Sequence, residues 1–178
     1  MSVALGVATG MSYLHQFNIL HRDLKSLNLL VKSTNPKEPV TVKLMDFGDS
    51  KVIYQYSNKN HICGTARWTA PEVFNQEPYT PKSDVYSFGI ILWELLTQKQ
   101  PFSDIQRDFQ IADAVMLGAR PPIPSDCPAG YKALMQACWH QKPQTRPTFD
   151  QIILVLEELK TRLPGCSSDS YYDPNADV

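Results

Sequence analysis

Residues 84–97 are the part of the sequence that most constrains the fold, because apolar side chains occupy most positions of this segment. A helix at the surface keeps one polar face, whereas a helix that is apolar on most sides has to be buried. The segment therefore predicts a buried central helix, and the rest of the fold is expected to be organised around it.

Two further helices are predicted at the ends of the chain. Apolar residues between positions 3 and 14 recur with the spacing of one helical face. Near the other end, Thr148 and Gln151 have the spacing of a capping box, which marks the start of a last helix. Its core face would be supplied by Ile152 and Leu156, among others.

One short hairpin is predicted between these helices. Residues 29–31 form an apolar run, and residues 40–44 alternate between apolar and polar side chains, so each segment is typical of a strand. The polar residues 32–39, which include two prolines, would form the loop between them. Residues 49–63 are polar and show no period, which indicates a mobile loop. The predicted class is α+β and mainly helical.

Composition and charge limit the kinds of partner. The formal net charge is −1 over 178 residues, which gives no support for a nucleic-acid partner, and this length fits one domain. The sequence has neither an apolar run long enough to span a membrane nor a secretory signal pattern. The cysteines contain no C-x-x-C pair, which predicts reduced thiols and a cytoplasmic, intracellular protein. They are Cys63, Cys127, Cys138 and Cys166.

Three short motifs follow one another along the chain. They are H-R-D-L-K-S-L-N at residues 21–28, D-F-G at residues 46–48 and A-P-E at residues 70–72. Each motif alone could arise by chance, but their order is that of the protein-kinase signature set. The chain resembles the large catalytic lobe of eukaryotic protein kinases and is most similar to the tyrosine-kinase-like group of Ser/Thr kinases.

This resemblance implies a fold and an activity. The fold would be a mainly helical lobe whose short hairpin bears the catalytic and D-F-G segments. Residues 1–163 would form the large lobe without the small lobe that precedes it in the family, and residues 164–178 are expected to be a disordered tail. The activity would be transfer of the γ-phosphate of ATP, with Mg²⁺, to Ser or Thr hydroxyls of a protein substrate in intracellular signalling.

The motif residues acquire chemical roles through the resemblance. Asp23 would accept the proton of the substrate hydroxyl and aim that hydroxyl at the γ-phosphate, while Lys25 would stabilise charge on the phosphoryl group. Asn28 and Asp46 would bind Mg²⁺ through hard oxygen atoms. Leu30 would pack beneath the adenine. Lys25, Asn28, Leu30 and Asp46 would thus all contact ATP or its metal ion.

Further residues would support the site from outside the reaction itself. The resemblance gives regulatory or structural roles to His21, Arg22, Phe47, Gly48, Thr65, Glu72, Asp84 and Arg146. His21 and Phe47 would stack in an internal spine. Asp84 would hold the backbone of the catalytic loop, and Glu72 would form an ion pair with Arg146.

Arg22 raises the question of regulation by phosphorylation. In kinases with an arginine before the catalytic aspartate, that side chain pairs with a phosphate on the activation loop, since its planar fork matches phosphate. The usual acceptor position holds His61 in this chain. The candidate phosphosites lie further upstream and are Tyr54, Tyr56 and Ser57. The alternative is that none of them is modified.

The motifs favour a Ser/Thr kinase but leave the substrate class open. Lys25 and Thr65 are typical of Ser/Thr kinases. Segment 68–72, together with the pairs at 138–139 and 146–147, is shared with tyrosine kinases. Tyrosine or dual specificity therefore remains an alternative.

The sequence also lacks two motifs that an active kinase uses. Neither G-x-G-x-x-G nor V-A-I-K occurs in these residues, and in kinases those motifs hold the phosphates of ATP. The chain by itself is therefore expected to be a very poor enzyme. A non-catalytic binding or scaffold module is the alternative reading, although the intact Asp23, Lys25, Asn28 and Asp46 favour an enzyme.

Overall fold

The computed structural model describes residues 1–32, 41–46, 48, 50–52 and 66–162. Within them the architecture is mainly helical, as the sequence predicts. The helices are α1 (Ser2–Gln16), α2 (Pro71–Phe74), α3 (Pro81–Thr97), α4 (Asp108–Met116), α5 (Ala129–Cys138) and α6 (Phe149–Arg162). The strands are β1 (Ile19–Leu20), β2 (Leu29–Val31), β3 (Val42–Leu44) and β4 (Lys51–Val52).

Helix α3 is the centre of the core, which confirms the prediction from the apolar segment. Every residue from Ser83 to Trp93 is buried. The helix begins at Pro81, one turn before the predicted start at Asp84, so that boundary was wrong. The reason is a capping box: the Thr80 hydroxyl accepts from the Lys82 N–H at 3.2 Å, and the Ser83 hydroxyl accepts from the Thr80 N–H at 3.2 Å.

Helices α1 and α6 pack against each other on one side of α3. The capping box predicted at the start of α6 is confirmed, since the Thr148 N–H donates to Gln151 Oε1 at 2.9 Å. The ring of Phe149 lies edge-on between His15 of α1 and Phe88 of α3, with centroid distances of 5.1 and 5.4 Å. The last helix thereby packs against both α1 and α3.

The predicted hairpin is confirmed. Strands β2 and β3 pair antiparallel, with Leu29 opposite Leu44 and Val31 opposite Val42. Because the first motif ends where β2 begins and D-F-G follows the end of β3, this pairing brings the two motifs to the same end of the hairpin. The residues 33–40 that join the strands lie outside the described part of the chain.

A second strand pair corrects the expectation for residues 49–63. Strand β4 pairs antiparallel with β1, placing Ile19 opposite Val52 and Leu20 opposite Lys51. Two-residue strands are too short to produce a periodic signal in a sequence, so this pairing depends on tertiary contact alone. Residues 53–63 of the predicted loop and the tail 164–178 lie outside the described residues.

The helices that the structure describes include none that is both long enough and apolar enough to cross a membrane.

Candidate active site

Asp23 lies at the centre of a compact polar cluster in the loop before β2. Its side chain is largely buried, and its Oδ2 atom lies 2.5 Å from Lys25 Nζ. Asn28 Nδ2 donates to the same Oδ2 at 3.1 Å and to the Asp23 carbonyl oxygen at 2.8 Å. The structure thus brings together the three residues to which the resemblance assigns catalytic roles.

The backbone of this loop is held by Asp84, at the N-terminal end of α3. Its fully buried carboxylate accepts hydrogen bonds from the backbone N–H groups of His21 and Arg22, each at 3.0 Å. Arg22 has a φ of 70, a left-handed conformation that costs a non-glycine residue about 1–2 kcal/mol. The two hydrogen bonds stabilise that conformation and fix the residue immediately before Asp23.

Two side chains complete the shell of Asp84. The Tyr79 hydroxyl donates to Oδ1 at 2.7 Å, and His15 Nε2 lies 2.9 Å from Oδ2. Burial raises the pKa of Tyr79 well above its usual range, and the neighbouring Asp84 carboxylate acts in the same direction. A buried carboxylate needs such a set of donors, because an unpaired charge in the interior is strongly unfavourable.

The D-F-G segment approaches the catalytic loop through its backbone. The Met45 N–H donates to the Asn28 carbonyl oxygen at 2.9 Å, and His21 Nε2 lies 3.1 Å from the Met45 carbonyl oxygen. Asp46, the next residue, is exposed and has a φ of 62. The N–H of Gly48 donates to Asp46 Oδ1 at 3.4 Å. Asn28 and Asp46 are therefore brought to one end of the hairpin.

Of the other predicted site residues, Leu30 is described by the structure and several are not. The side chain of Leu30 is 49% exposed on the hairpin. Phe47 and Thr65 lie outside the described residues, as do the candidate phosphosites Tyr54, Tyr56 and Ser57. Their roles remain predictions.

Arg22 lies close to Asp23 but faces a different group. Its guanidinium carbon lies 5.6 Å from the centroid of the Tyr79 ring, a cation–π contact. Its Nε atom is buried and has no acceptor among the described residues. A buried donor of this kind suits an acidic or phosphorylated group. The contact of Arg22 with a phosphate stays a prediction.

Glu72 and Arg146 form a buried, bidentate ion pair. Arg146 Nη1 lies 2.7 Å from Oε1 and Nη2 lies 2.8 Å from Oε2. The Ser83 hydroxyl also donates to Oε1 at 2.9 Å, and Arg146 Nε donates to the His140 carbonyl oxygen at 2.8 Å. The pair therefore ties the start of α2 to α3 and to the segment before α6.

Three residues that anchor segment 66–70 were missed by the sequence analysis. Arg67 donates to the carbonyl oxygens of Pro101, Phe102 and Ile105, and the Ser87 hydroxyl donates to the Trp68 carbonyl oxygen at 2.8 Å.

Glu94 is the third of these residues, and it accepts from both Ser26 and Trp68. The signal that could have identified it is an acidic residue inside the apolar segment 84–97, because such a residue needs partners. Nothing comparable marks Arg67, whose acceptors are backbone carbonyls of a distant loop.

The described fold and the cluster around Asp23 are those of the large lobe of a protein kinase. The family model for protein tyrosine and serine/threonine kinases matches residues 1–156. The chain belongs to this family.

Several named kinases are similar to the chain over nearly its whole length. Mitogen-activated protein kinase kinase kinase 13-A of Xenopus laevis is 42% identical over 172 residues, which cover 97% of this chain and 17% of that protein. Mitogen-activated protein kinase kinase kinase 12 of Rattus norvegicus is 40% identical over 174 residues, covering 98% and 19%. RGS domain-containing serine/threonine-protein kinase A of Dictyostelium discoideum is 42% identical over 156 residues, covering 88% and 13%. The chain thus spans less than a fifth of each relative.

Proposed function

We propose that the chain provides the catalytic lobe of an ATP- and Mg²⁺-dependent protein kinase that phosphorylates Ser or Thr residues of a protein substrate. The observation that carries this proposal is the cluster in which Lys25 and Asn28 both contact the Asp23 carboxylate. Phosphoryl transfer needs mainly positioning and charge stabilisation, and a carboxylate, a cation and an amide held within hydrogen-bonding distance supply both.

Each member of the cluster has a distinct task in this proposal. The Asp23 carboxylate accepts a hydrogen bond from the substrate hydroxyl, orients it and takes its proton. The Lys25 ammonium group places positive charge beside the phosphoryl oxygens. The hydrogen bonds that the loop backbone donates to Asp84 hold Asp23 in place, which limits the motion that would otherwise misalign the hydroxyl.

The donor set fits a magnesium ion. Asn28 uses its amide nitrogen on Asp23, so its amide oxygen is the atom left for a cation, and Asp46 offers an exposed carboxylate at the same end of the hairpin. Mg²⁺ prefers one or two such oxygens together with phosphate and water. When bound, the ion neutralises phosphate charge.

The substrate class rests on Lys25 and on the relatives. A lysine at this position of the loop is typical of Ser/Thr kinases, and one relative is named a serine/threonine-protein kinase. Two others are named as kinases of a mitogen-activated protein kinase kinase, so a protein kinase is a candidate substrate. Tyrosine or dual specificity is the alternative, because segment 68–72 is shared with tyrosine kinases.

A second candidate function is a non-catalytic binding module. It is favoured by the absence of G-x-G-x-x-G and V-A-I-K from these 178 residues. We expect the 178 residues alone to hydrolyse or transfer the γ-phosphate very slowly. Efficient turnover by the purified chain on a generic Ser/Thr peptide would contradict that expectation.

The proposed function is tested by joining the chain to a kinase small lobe and replacing Asp23 with Asn. We expect the rate of peptide phosphorylation to fall by several orders of magnitude, because orientation of the hydroxyl and proton acceptance are both lost and each contributes about 100-fold or more. Lys25→Ala should cost less, since Lys25 is one of several positive charges on the phosphoryl group. The measurement is Mg²⁺-dependent incorporation of labelled phosphate, followed by phosphoamino-acid analysis.

Asp113→Asn is the matched control, because Asp113 is an exposed aspartate on α4 and makes no contact with the site. It should leave the rate unchanged. Retained activity in the Asp23→Asn protein would refute the mechanism, and a product that is mainly phosphotyrosine would refute the Ser/Thr assignment.

A further inference from the structure

A cavity of about 260 Å³ lies where α1 meets the first turns of α3 and α6. None of the residues to which the proposed function assigns a catalytic role lines this cavity. Its apolar walls are formed by Pro81, Val85 and Phe149. Lys82 contributes an amine to the lining, and Thr148 contributes a hydroxyl. The cavity therefore brings a lysine amine next to apolar walls, outside the candidate active site.

Lys82 is fixed at the cavity by a reciprocal contact with Arg146. The Lys82 Nζ atom lies 2.5 Å from the Arg146 carbonyl oxygen, and Arg146 Nη1 donates to the Lys82 carbonyl oxygen at 2.8 Å. Lys82 is half-buried, so its amine can still be reached from outside. Because the Arg146 carbonyl uses only one N–H of the amine, a neutral Lys82 keeps its lone pair for reaction.

Three features of the surroundings disfavour a positive charge on Lys82. Burial lowers the pKa of its ammonium group and the neighbouring Arg146 guanidinium lowers it further, while Cys138 acts in the opposite direction. Lys82 also lies in the first turn of α3, where the positive end of the helix dipole opposes a cation. A lysine that is desolvated or close to another cation is activated as a nucleophile, because more of its amine is neutral.

We infer that Lys82 is an acylation site, at which the amine accepts a small acyl group such as acetyl from a thioester and holds it in the cavity. The neutral amine attacks the carbonyl carbon of the thioester, so that a C–N bond forms and the C–S bond breaks. The thiolate leaves and takes up the proton that the nitrogen loses. The inference concerns a site apart from the phosphoryl-transfer chemistry and does not rest on the proposed function.

The acylated side chain fits the groups that surround it. An acylated Lys82 loses its charge but keeps one N–H, which can still donate to the Arg146 carbonyl oxygen. The Thr148 hydroxyl accepts from the Gln151 N–H at 3.4 Å and donates to no acceptor among the described residues, so it can donate to the acyl carbonyl oxygen. The apolar walls accommodate the alkyl part. Methylation, by contrast, keeps the charge on the amine.

The first test treats the 178-residue chain with a small thioester, S-acetyl-N-acetylcysteamine, near neutral pH. Peptide mass spectrometry follows the acetylation of each lysine over time. The initial rate at Lys82 should exceed the rate at Lys132 by about threefold or more, because a larger share of the Lys82 amine is neutral. Lys132 is the matched control, since it is an exposed lysine on α5. The inference is overturned if Lys82 reacts no faster than Lys132.

The pH dependence separates activation of the amine from simple access. The ratio of the Lys82 rate to the Lys132 rate should be largest near neutral pH and fall as the pH approaches the ordinary lysine value of 10.5, over the range in which circular dichroism shows intact helices. A ratio that does not change with pH would indicate access alone and would refute the inference. The charged or titratable groups that face Lys82 from the neighbouring elements are His15, Cys138, Arg146 and Asp150.

Two of these groups are tested by substitution. His15→Gln and Asp150→Asn should each keep the Lys82 rate above the Lys132 rate, because burial and Arg146 are the main causes of the lowered pKa of Lys82. If either substitution makes the two rates equal, the activation of Lys82 does not arise from its burial beside Arg146, and the inference is wrong.

The second test introduces Nε-acetyllysine at position 82 during synthesis of the chain and measures thermal unfolding. Removal of a cation from the first turn of α3 should leave the unfolding temperature unchanged or raise it. Lys160 is the matched control, because it is a half-buried lysine in the last turn of α6, where the helix dipole favours a cation. The chain acetylated at position 82 should unfold about 2 °C or more above the chain acetylated at position 160.

Thr148→Val then locates the acyl group. The substitution removes a helix cap in both the unmodified and the acetylated chain, but only in the acetylated chain does it also remove the donor to the acyl carbonyl oxygen. It should therefore lower the unfolding temperature more when position 82 is acetylated. An equal effect in the two chains would show that the acyl group lies outside the cavity, and unfolding of the chain on acetylation at position 82 would show that the cavity rejects the group. Either result overturns the inference.

Discussion

At the scale of single residues, the buried polar groups are held by several partners each. Asp84 accepts from two backbone N–H groups and two side chains, and the Glu72–Arg146 pair is extended by Ser83 and a backbone carbonyl. Removing one member of a buried ion pair leaves an uncompensated charge and costs about 3–5 kcal/mol. These contacts therefore specify which loops meet, more than they add net stability.

The buried hydroxyl of Tyr86, by contrast, lacks a hydrogen-bond partner among the described residues. The ring of Tyr86 lies between the guanidinium groups of Arg120 and Arg146, at 4.9 and 5.1 Å from their central carbons. Burial raises the pKa of Tyr86 to about 12, although the two arginines act in the opposite direction.

Tyr86→Phe is predicted to change the free energy of unfolding by less than about 0.5 kcal/mol, because the lost hydroxyl makes no hydrogen bond within the described protein. Tyr131→Phe is the matched comparison. The Tyr131 hydroxyl donates to the Leu92 carbonyl oxygen at 2.8 Å, so its loss should destabilise the fold by about 1 kcal/mol. Denaturant unfolding of both variants is the measurement, and equal destabilisation would contradict the prediction.

At the scale of elements, close approach depends on glycines within helices. A Cβ atom added to Gly89 of α3 would lie 3.0 Å from the backbone nitrogen of Trp139, which follows α5. A Cβ atom added to Gly10 of α1 would lie 3.1 Å from Leu44 Cδ1, the end of a flexible side chain on β3. The first neighbour is rigid and the second can move, so the two glycines are not equivalent.

Gly89→Ala should therefore destabilise the protein by about 1–3 kcal/mol, even though alanine is the better helix former, because backbone has to shift to accept the methyl group. Gly10→Ala should be neutral or stabilising by up to about 1 kcal/mol, since the gain in helix propensity meets only a movable side chain. Thermal unfolding of the two variants decides this, and a stable Gly89→Ala protein would show that α3 and α5 pack less closely.

At the scale of the whole molecule, one core joins all the helices around α3. It includes Val7 and Met11 of α1, Met135 of α5 and Ile152 of α6, all with no exposed surface. Titratable groups are buried in the same core. Burial raises the pKa values of Tyr86, Tyr131 and the thiol of Cys138.

The buried tyrosines predict unfolding at alkaline pH. Below the ordinary pKa of 10.0, Tyr86 and Tyr131 are protonated in both states, so the contribution of these two groups to stability is fully present. As pH rises above 10, the unfolded chain ionises while the folded chain stays neutral, and stability falls by about 1.4 kcal/mol per pH unit for each group. For Tyr86 this continues to pH of about 12.

Circular dichroism and tyrosinate absorbance, recorded together between pH 8 and about 12, measure this effect, since the buried groups should ionise as the helices unfold. Tyr131→Phe removes one of the two buried groups that ionise. Its free energy of unfolding should therefore fall less steeply above pH 10 than that of the unsubstituted protein, when each is compared with its own value at neutral pH. Tyr13→Phe, at a surface position that is 62% exposed, is the control. Ionisation of all tyrosines without loss of helix would contradict the prediction.

The family, the central helix and the hairpin that joins the two motifs were all predictable from the sequence. These depend on local signals, namely motif spacing, apolar periodicity and a capping box, which act over a few residues. The predicted start of α3 was wrong by one turn, because the capping residue Thr80 lies before the apolar segment on which the prediction was based.

Which distant groups meet could not be predicted from the sequence, because it depends on the packing of the folded chain. Three sets of contacts join segments whose local sequence does not indicate which segment they will meet. They are the pairing of β1 with β4, the hydrogen bonds of Asp84 with residues 62 and 63 positions away, and the hydrogen bonds of Glu94 with Ser26 and Trp68. The physical reason is that burial of apolar faces brings these segments together. Once buried, each polar group must find whichever donor or acceptor the packing has placed nearby.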